Sequence, residues 1–246
     1  MNDIEFAINR RQLNLDLTYK CPLACPKCMR QYYRKNEIPI GGHALSMKDF
    51  EKIIKFFNFI DFCGQVSDPT AHPKFKDMLK ILYERKKGCR IHTAASHKSF
   101  SWYKEAFNAN MNAYWMFGLD GLPEESSLYR INQDGEKLWE IMKWGAKNGN
   151  HIDWQWIFFK YNQDNWEKGQ RLAKKYGINF ITLYSTRFRK NDPLKPTNLS
   201  ALPTEQLPGH RAGAAQSPGP GRRQGRKLSL LEAAGRGNVK EISNNA

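Results

Sequence analysis

The sequence predicts an α/β fold, a partial (β/α)6 barrel of parallel strands followed by a disordered C-terminal tail. Three observations predict it. Short apolar runs alternate with segments of helical period, the signature of a parallel sheet built from strand-helix-strand units. Six such runs and five intervening helices follow one another, two strands short of a full eight-fold barrel. All 31 aromatic residues lie before position 200, so the last 46 residues are a different material.

The first run is L-N-L-D-L, with Leu13, Leu15 and Leu17 on one side at period two. A first helix begins at Ser46, an N-cap residue with Asp49 three positions on, and its apolar face is Met47, Phe50, Ile53, Ile54 and Phe57. The second strand is F-I-D-F-C, residues 59–63. The second helix starts at Pro73, a favoured first-turn residue, turns Phe75, Met78, Leu79 and Leu82 inward, and stops at Gly88. Strand three runs from Arg90 to Thr93 and helix three from about Ser101 to Ala109. Strand four is Ala113 to Leu119, and helix four spans Asp134 to Asn148 with Leu138, Ile141 and Met142 inward. W-Q-W-I-F-F is the fifth strand; the fifth helix is capped by Asp164 and ended by Gly177, and Asn179 to Tyr184 form strand six. In parallel sheets of this kind, chemistry sits in the loops at the C-terminal ends of the strands.

The chain has 246 residues, 40% of them hydrophobic, enough for one medium domain or two small ones. Its seam divides it into a barrel, residues 1–200, and a low-complexity tail, residues 201–246, in which Ala, Gly, Pro and Arg supply 23 of 46 positions. Such a segment cannot bury enough apolar surface to offset its ordering entropy, so it is expected to be disordered, native or fusion-derived, and without a catalytic part. Only Lys227 to Ile242 has the pattern of a short amphipathic helix. The formal charge is +15, with 39 Lys and Arg against 24 Asp and Glu; without the tail it is 32 against 21, or +11. No uncharged run approaches the roughly 18 residues of a membrane span, so no membrane partner is expected. An N-terminus with early acids and no apolar stretch leads to the expectation of a cytoplasmic protein.

Directly after the first strand comes C-P-L-A-C-P-K-C, which places Cys21, Cys25 and Cys28 in C-x3-C-x2-C spacing. Pro22 and Pro26 keep this segment out of a regular helix, so three thiolates can wrap one centre. Soft thiolates select zinc or iron-sulfur clusters. Structural zinc requires a fourth ligand, for which His43 is the nearest candidate, whereas three cysteines on a four-iron cluster leave one iron open for chemistry. Cys63 and Cys89, single and far apart, read as core residues.

The segment Q-L-N-L-D-L-T-Y-K-C-P-L-A-C-P-K-C resembles the first strand and cluster loop of the radical S-adenosylmethionine (radical SAM) superfamily. The resemblance implies a [4Fe-4S] cluster on Cys21, Cys25 and Cys28 whose fourth iron is chelated by S-adenosylmethionine (SAM). It also implies an external electron donor of flavodoxin or ferredoxin type. One departure is Lys27, where the family commonly carries an aromatic residue.

Further positions gain meaning from the resemblance because they fall in order at strand ends. V-S-D-P after strand two stands where the family has G-G-E-P, which implies Asp68 as acceptor for the methionine amino group of SAM, with Ser67 and Gln65 lining the same loop. T-A-A-S-H after strand three resembles T-N-G, with Thr93 fitting and Ala94 in place of the amide; Ser96 and His97 face substrate or solvent. G-L-D-G-L followed by S-L-Y-R implies Asp120 at a strand end and Arg130 as a fork for the SAM carboxylate. Asn162, after strand five, is implied for SAM ribose or carboxylate, and Lys160 for a substrate anion. No catalytic residue beyond the cluster is assigned.

Three basic runs, at 30–35, 84–90 and 187–190, stand out. The first and last border the expected barrel mouth and suit an anionic substrate; the second is explained by a helix C-terminus. Tyr32, Tyr33, Trp102 and Trp115 offer stacking surfaces. The reading that follows is a radical SAM enzyme that reductively cleaves SAM to a 5′-deoxyadenosyl radical, acting on a small-molecule, nucleotide-derived or peptide substrate. Two other readings stay open: a non-catalytic zinc or iron-sulfur module that binds nucleic acid through its basic face, and a barrel that binds SAM without turnover.

Overall fold

Each strand of the sheet places its alternate residues in a layer of helices, and the register of those residues fixes the architecture. The computed structural model describes residues 12–64, 66–185 and 187–198. The tail expected at 201–246 and the candidate residue Gln65 lie outside the described residues. The strands are β1 (Gln12–Asn14), β2 (Phe59–Cys63), β3 (Gly88–Thr93), β4 (Tyr114–Gly118), β5 (His151–Ile157) and β6 (Asn179–Leu183). They form one six-stranded sheet in the order β1-β2-β3-β4-β5-β6, every pair parallel. Between them run α1 (Met29–Lys35), α2 (Met47–Ile53), α3 (Phe75–Glu84), α4 (Phe100–Ala109), α5 (Gly135–Lys147) and α6 (Trp166–Lys175). This is the α/β partial barrel that the sequence predicts.

The core lies between sheet and helices. Ile60 and Phe62 of β2, Cys89 and Ile91 of β3, Trp115 and Phe117 of β4, and Trp154 and Trp156 of β5 are all fully buried against Phe50, Phe75, Met78, Leu79, Phe107, Leu138 and Met142. The period of two sends Asp61, Arg90, His92, Met116 and Gln155 to the opposite, concave face. Cys89 is a core residue as expected, but Cys63 falls on the concave side, because the pleat alternates it with the buried Phe62. Trp115 is likewise buried in the core, paired with Phe107 at 4.9 Å, and offers no stacking surface.

Helix starts follow the capping residues closely. Ser46 accepts the Asp49 amide at 3.1 Å and donates its hydroxyl to the Asp49 carboxylate at 2.7 Å. Ser99 and Asp134 cap α4 and α5 in the same way, accepting from the amides of Trp102 and Lys137. Asp164 does not cap α6: the N-cap is Asn165, and the Asp164 carboxylate instead accepts from the Asn198 side chain at 3.2 Å. A helix that the periodicity does not predict, α1, follows Cys28 directly and buries only Arg30. Among the described residues, no helix is long and apolar enough to cross a membrane.

Candidate active site

The cysteine loop lies over the C-terminal ends of the strands and is tied there by backbone and by Arg30. The Asp68 amide donates to the Lys20 carbonyl at 3.0 Å, and the Ala24 amide to the Ile131 carbonyl at 3.0 Å. Arg30 Nη1 donates to the carbonyls of Tyr19 at 2.6 Å and Val66 at 2.8 Å, stitching the loop to the turn after β2. That turn requires glycine at its start: a Cβ on Gly64 would stand 1.8 Å from the Ser67 carbonyl oxygen.

Cys25 is buried with Leu23, Ala94, Tyr129 and Phe159, and the half-buried Cys21 and Cys28 pack against the same cluster. Burial foremost, then the Asp68 carboxylate, pushes the Cys21 thiol up to about 11. Burial also raises Cys25, while the positive charge of Arg130 pulls the other way. Loading a metal here therefore exchanges thiol protons for metal. Among the described residues, no group of three or more His, Cys, Asp or Glu converges closely enough to hold a single ion. The thiolates of an iron-sulfur cluster each bind a different iron, so a loop of three cysteines in an apolar pocket beside a guanidinium fits such a cluster without converging on a point. His43 stands exposed in the loop before α2.

Asp120 and Arg130, ten residues apart, are brought together as a buried pair: Arg130 Nε donates to Asp120 Oδ2 at 2.7 Å, and the Ile157 amide donates to Oδ1 at 2.8 Å. Asp120 is fully buried. Burial alone pushes its carboxyl up, against the pull of Arg130 and the Ile157 amide. Burial would lower Arg130, but Asp120 first, then Cys25 and Tyr129, hold it above its ordinary value. Gly118 makes the approach fit, since a Cβ there would stand 3.0 Å from Arg130 Nη2.

Asp68 has a different surrounding from the one its motif implies. Its Oδ1 accepts from the Thr70 amide at 3.0 Å and hydroxyl at 2.5 Å, its Oδ2 from the amides of Ala94 at 3.1 Å and Ala95 at 3.2 Å, and Thr93 Oγ1 bridges both oxygens. Asp68 and Thr93, both 4% exposed, thus brace the ends of β2 and β3. Ser67, at the rim, donates to Asp16 at 2.9 Å. Asn162 is fully buried, accepts from the Phe159 amide at 2.8 Å and donates to the Ile157 carbonyl at 3.0 Å, and so shapes its own loop. Ser96, buried, accepts the Asp134 amide at 2.7 Å and holds the start of α5, while His97 is exposed.

Two residues were not foreseen. Arg30 sits in the basic run expected to border the barrel mouth for an anionic substrate, yet it donates to backbone carbonyls, and Gln133 has no motif. Gln133 Nε2 caps the carbonyls of Ala94 at 2.5 Å and Gly118 at 2.9 Å, joining the ends of β3 and β4.

No family model matches the chain. Among curated proteins it is 23% identical over 203 residues to the tungsten-containing aldehyde ferredoxin oxidoreductase cofactor-modifying protein of Pyrococcus furiosus, covering 80% of this chain and 54% of that one. The chain thus spans about half the length of the curated relative it matches. Among solved structures it is similar to Streptococcus suis SuiB, with a TM-score of 0.61, 14% identity, and coverage of 76% of this chain and 42% of that one. SuiB has also been solved bound to S-adenosylmethionine and to the precursor peptide SuiA. A second likeness is to anSMEcpe with bound AdoMet and Cp18Cys peptide, with a TM-score of 0.53, 17% identity, and coverage of 74% and 54%. These neighbours are radical SAM enzymes, and the sheet described above is their partial barrel.

Proposed function

We propose that this chain is a radical SAM enzyme in which Cys21, Cys25 and Cys28 hold a [4Fe-4S] cluster. The observation that carries the reading is the gathering of the C-x3-C-x2-C loop at the strand ends of a radical SAM-type barrel, with Cys25 against the Arg130 guanidinium. When bound, the cluster supplies, from an external flavodoxin- or ferredoxin-type donor, the electron that cleaves SAM to methionine and a 5′-deoxyadenosyl radical for hydrogen abstraction.

The chain's own residues do the positioning. Arg130 takes the SAM carboxylate in this reading, which is supported by the pairing with Asp120 that fixes the orientation of its guanidinium. Asp68 and Thr93 hold the two strand ends rigid behind the cysteine loop, and Ser67 offers a hydroxyl at its rim. Leu23, Tyr129 and Phe159 keep water from the thiolates. The substrate is a small molecule, a nucleotide derivative or a peptide, the last supported by the peptides in the SuiB and anSMEcpe structures. The barrel of residues 1–200 carries this activity, and a chain ending near Ser200 is expected to keep it.

The experiment is anaerobic reconstitution with iron and sulfide, addition of SAM and dithionite, and measurement of 5′-deoxyadenosine. A brown protein that forms it, and a Cys28→Ala variant that does not, support the reading. Stoichiometric zinc without iron would sink it, and an intact cluster that binds SAM without cleaving it would point to a barrel without turnover.

A further inference from the structure

Three neighbouring side chains on the concave face of the sheet stand outside the arrangement above. Asp61 lies in the middle of β2, Arg90 is its register partner on β3, and His92 is one pleat further along. Each carries a buried polar atom with no hydrogen-bond partner among the described residues: Asp61 Oδ1, Arg90 Nε and His92 Nε2. Asp61 is only 8% exposed. His92 Nε2 and Asp61 Oδ1 face each other at 2.8 Å as an ion-pair contact, which leaves Arg90 Nε as the atom of the three with no counterpart.

Buried polar groups in folded proteins are paired with few exceptions, and a buried guanidinium nitrogen left unpaired beside this carboxylate–imidazole contact calls for an occupant. Position says what kind. Arg90 stands three residues before the end of β3, on the order of 10 Å below the strand ends. Below it, Phe59 lies across Gly88, its ring 2.6 Å from where a Cβ there would stand, and closes the floor. A guanidinium at that depth is matched by a carboxylate or phosphate, held by two parallel N–H bonds. Asp61 with His92 beside it accepts an N–H or O–H. Only a small molecule or a single side chain reaches so far in.

We infer that Arg90, Asp61 and His92 form the substrate-recognition site, which takes the carboxylate or phosphate of a small substrate or substrate side chain bearing a neighbouring N–H or O–H donor. The word substrate rests on the radical SAM reading; the anion site stands on its own geometry.

The test is calorimetric titration of the full chain, without iron or SAM, with glutarate, inorganic phosphate and, as a cation, ethylammonium chloride at matched ionic strength. Saturable binding of one anion is expected, and which one distinguishes a carboxylate from a phosphate substrate. Arg90→Gln is expected to weaken it about tenfold or more, and Arg90→Lys by less, because the charge remains while the fork is lost. Arg171→Gln, on the exposed face of α6, is the control. Arg90→Lys carries the comparison if circular dichroism shows that Arg90→Gln does not fold. Absence of saturable anion binding, as when ordered water fills the patch, preference for ethylammonium, or undiminished binding in both Arg90 variants overturns the inference. Deoxyadenosine formation by the unmodified protein is read separately: anion binding without SAM cleavage removes the radical reading alone, and cleavage without anion binding removes the recognition site alone.

Discussion

Lys27 and Asp192, 165 positions apart, form an ion pair that joins the cysteine loop to the segment after β6. The Asp192 side chain is 2% exposed and the Lys27 side chain 28%. The same segment accepts the Lys160 amide at the Leu194 carbonyl, 2.9 Å away, and lays Phe188 and Leu194 on the apolar cluster around Cys25. Lys27, where the resembling loops commonly carry an aromatic residue, therefore acts as a latch.

Replacing Lys27 by Met should loosen this cover and cost about 1–3 kcal/mol, because a nearly buried carboxylate loses its partner. Hydrogen exchange should quicken in residues 187–198 and hardly change in β2 to β4. Burial raises the Asp192 pKa, but Lys27 and the Leu194 and Arg189 amides outweigh it and leave the carboxyl below its ordinary value. The latch is thus fully present above about pH 4, the unfolded value, and is lost as pH falls through the lower folded one. Exchange that stays unchanged in Lys27→Met at neutral pH would remove the latch.

Breaking the Asp120–Arg130 pair from either side should destabilise the fold by about 3–5 kcal/mol, since each single change leaves a buried charge alone. Urea midpoints of Asp120→Asn, Arg130→Met and the double variant check it. The double variant should cost less than the sum of the two single ones.

Asp68→Ala should cost about 1–3 kcal/mol or more, because the Ala94 and Ala95 amides and the Thr70 and Thr93 hydroxyls all lose their acceptor. Thr93→Val, which removes one of these donors, should cost less. Thermal melts of the metal-free chain separate this bracing role from SAM binding, since neither ligand is present.

His72 should make stability depend on pH near neutrality. The Lys74 amide donates to its Nδ1 at 3.1 Å, which leaves the hydrogen on Nε2 for the Leu45 carbonyl at 3.0 Å, and burial lowers its pKa. A lowered histidine binds its proton more weakly folded than unfolded. Its contribution is therefore complete above about pH 6.5 and declines as pH falls from there toward and below the folded value. His72→Gln should flatten this part of the urea-midpoint profile; an unchanged slope would assign the dependence elsewhere.

The strands and most helices were legible because their buried residues repeat at two or 3.6: Phe75, Met78, Leu79 and Leu82 are both the predicted and the observed inner face of α3. Helix α1 was not, since M-R-Q-Y-Y-R-K buries a single arginine and so carries no apolar period. Strand β5 begins at His151, three residues before the apolar run, where polar His151 and Asp153 alternate with Ile152 and continue the period of two. The cysteine loop was legible by spacing, and Asp68, Asp120 and Arg130 by falling at strand ends. What these residues bond to was not: the acceptors of Arg30 and Gln133 are backbone carbonyls of distant segments, and a carbonyl has no letter in the sequence. The sequence pattern starts strand three at Arg90 and takes Gly88 as a helix stop, but β3 begins two residues earlier, at Gly88, so Arg90 lies inside the strand.

The latch also sets an order in time. Lys27 leaves the ribosome long before Asp192, and closing so long a loop is among the last contacts a chain makes. Until then, the pocket beside Cys25 lacks Phe188 and Leu194. The interval between the synthesis of β1 and the docking of this segment is therefore when the thiols are most open to any partner that reaches them, and a stronger latch would shorten that window even as it lengthened the life of the folded chain.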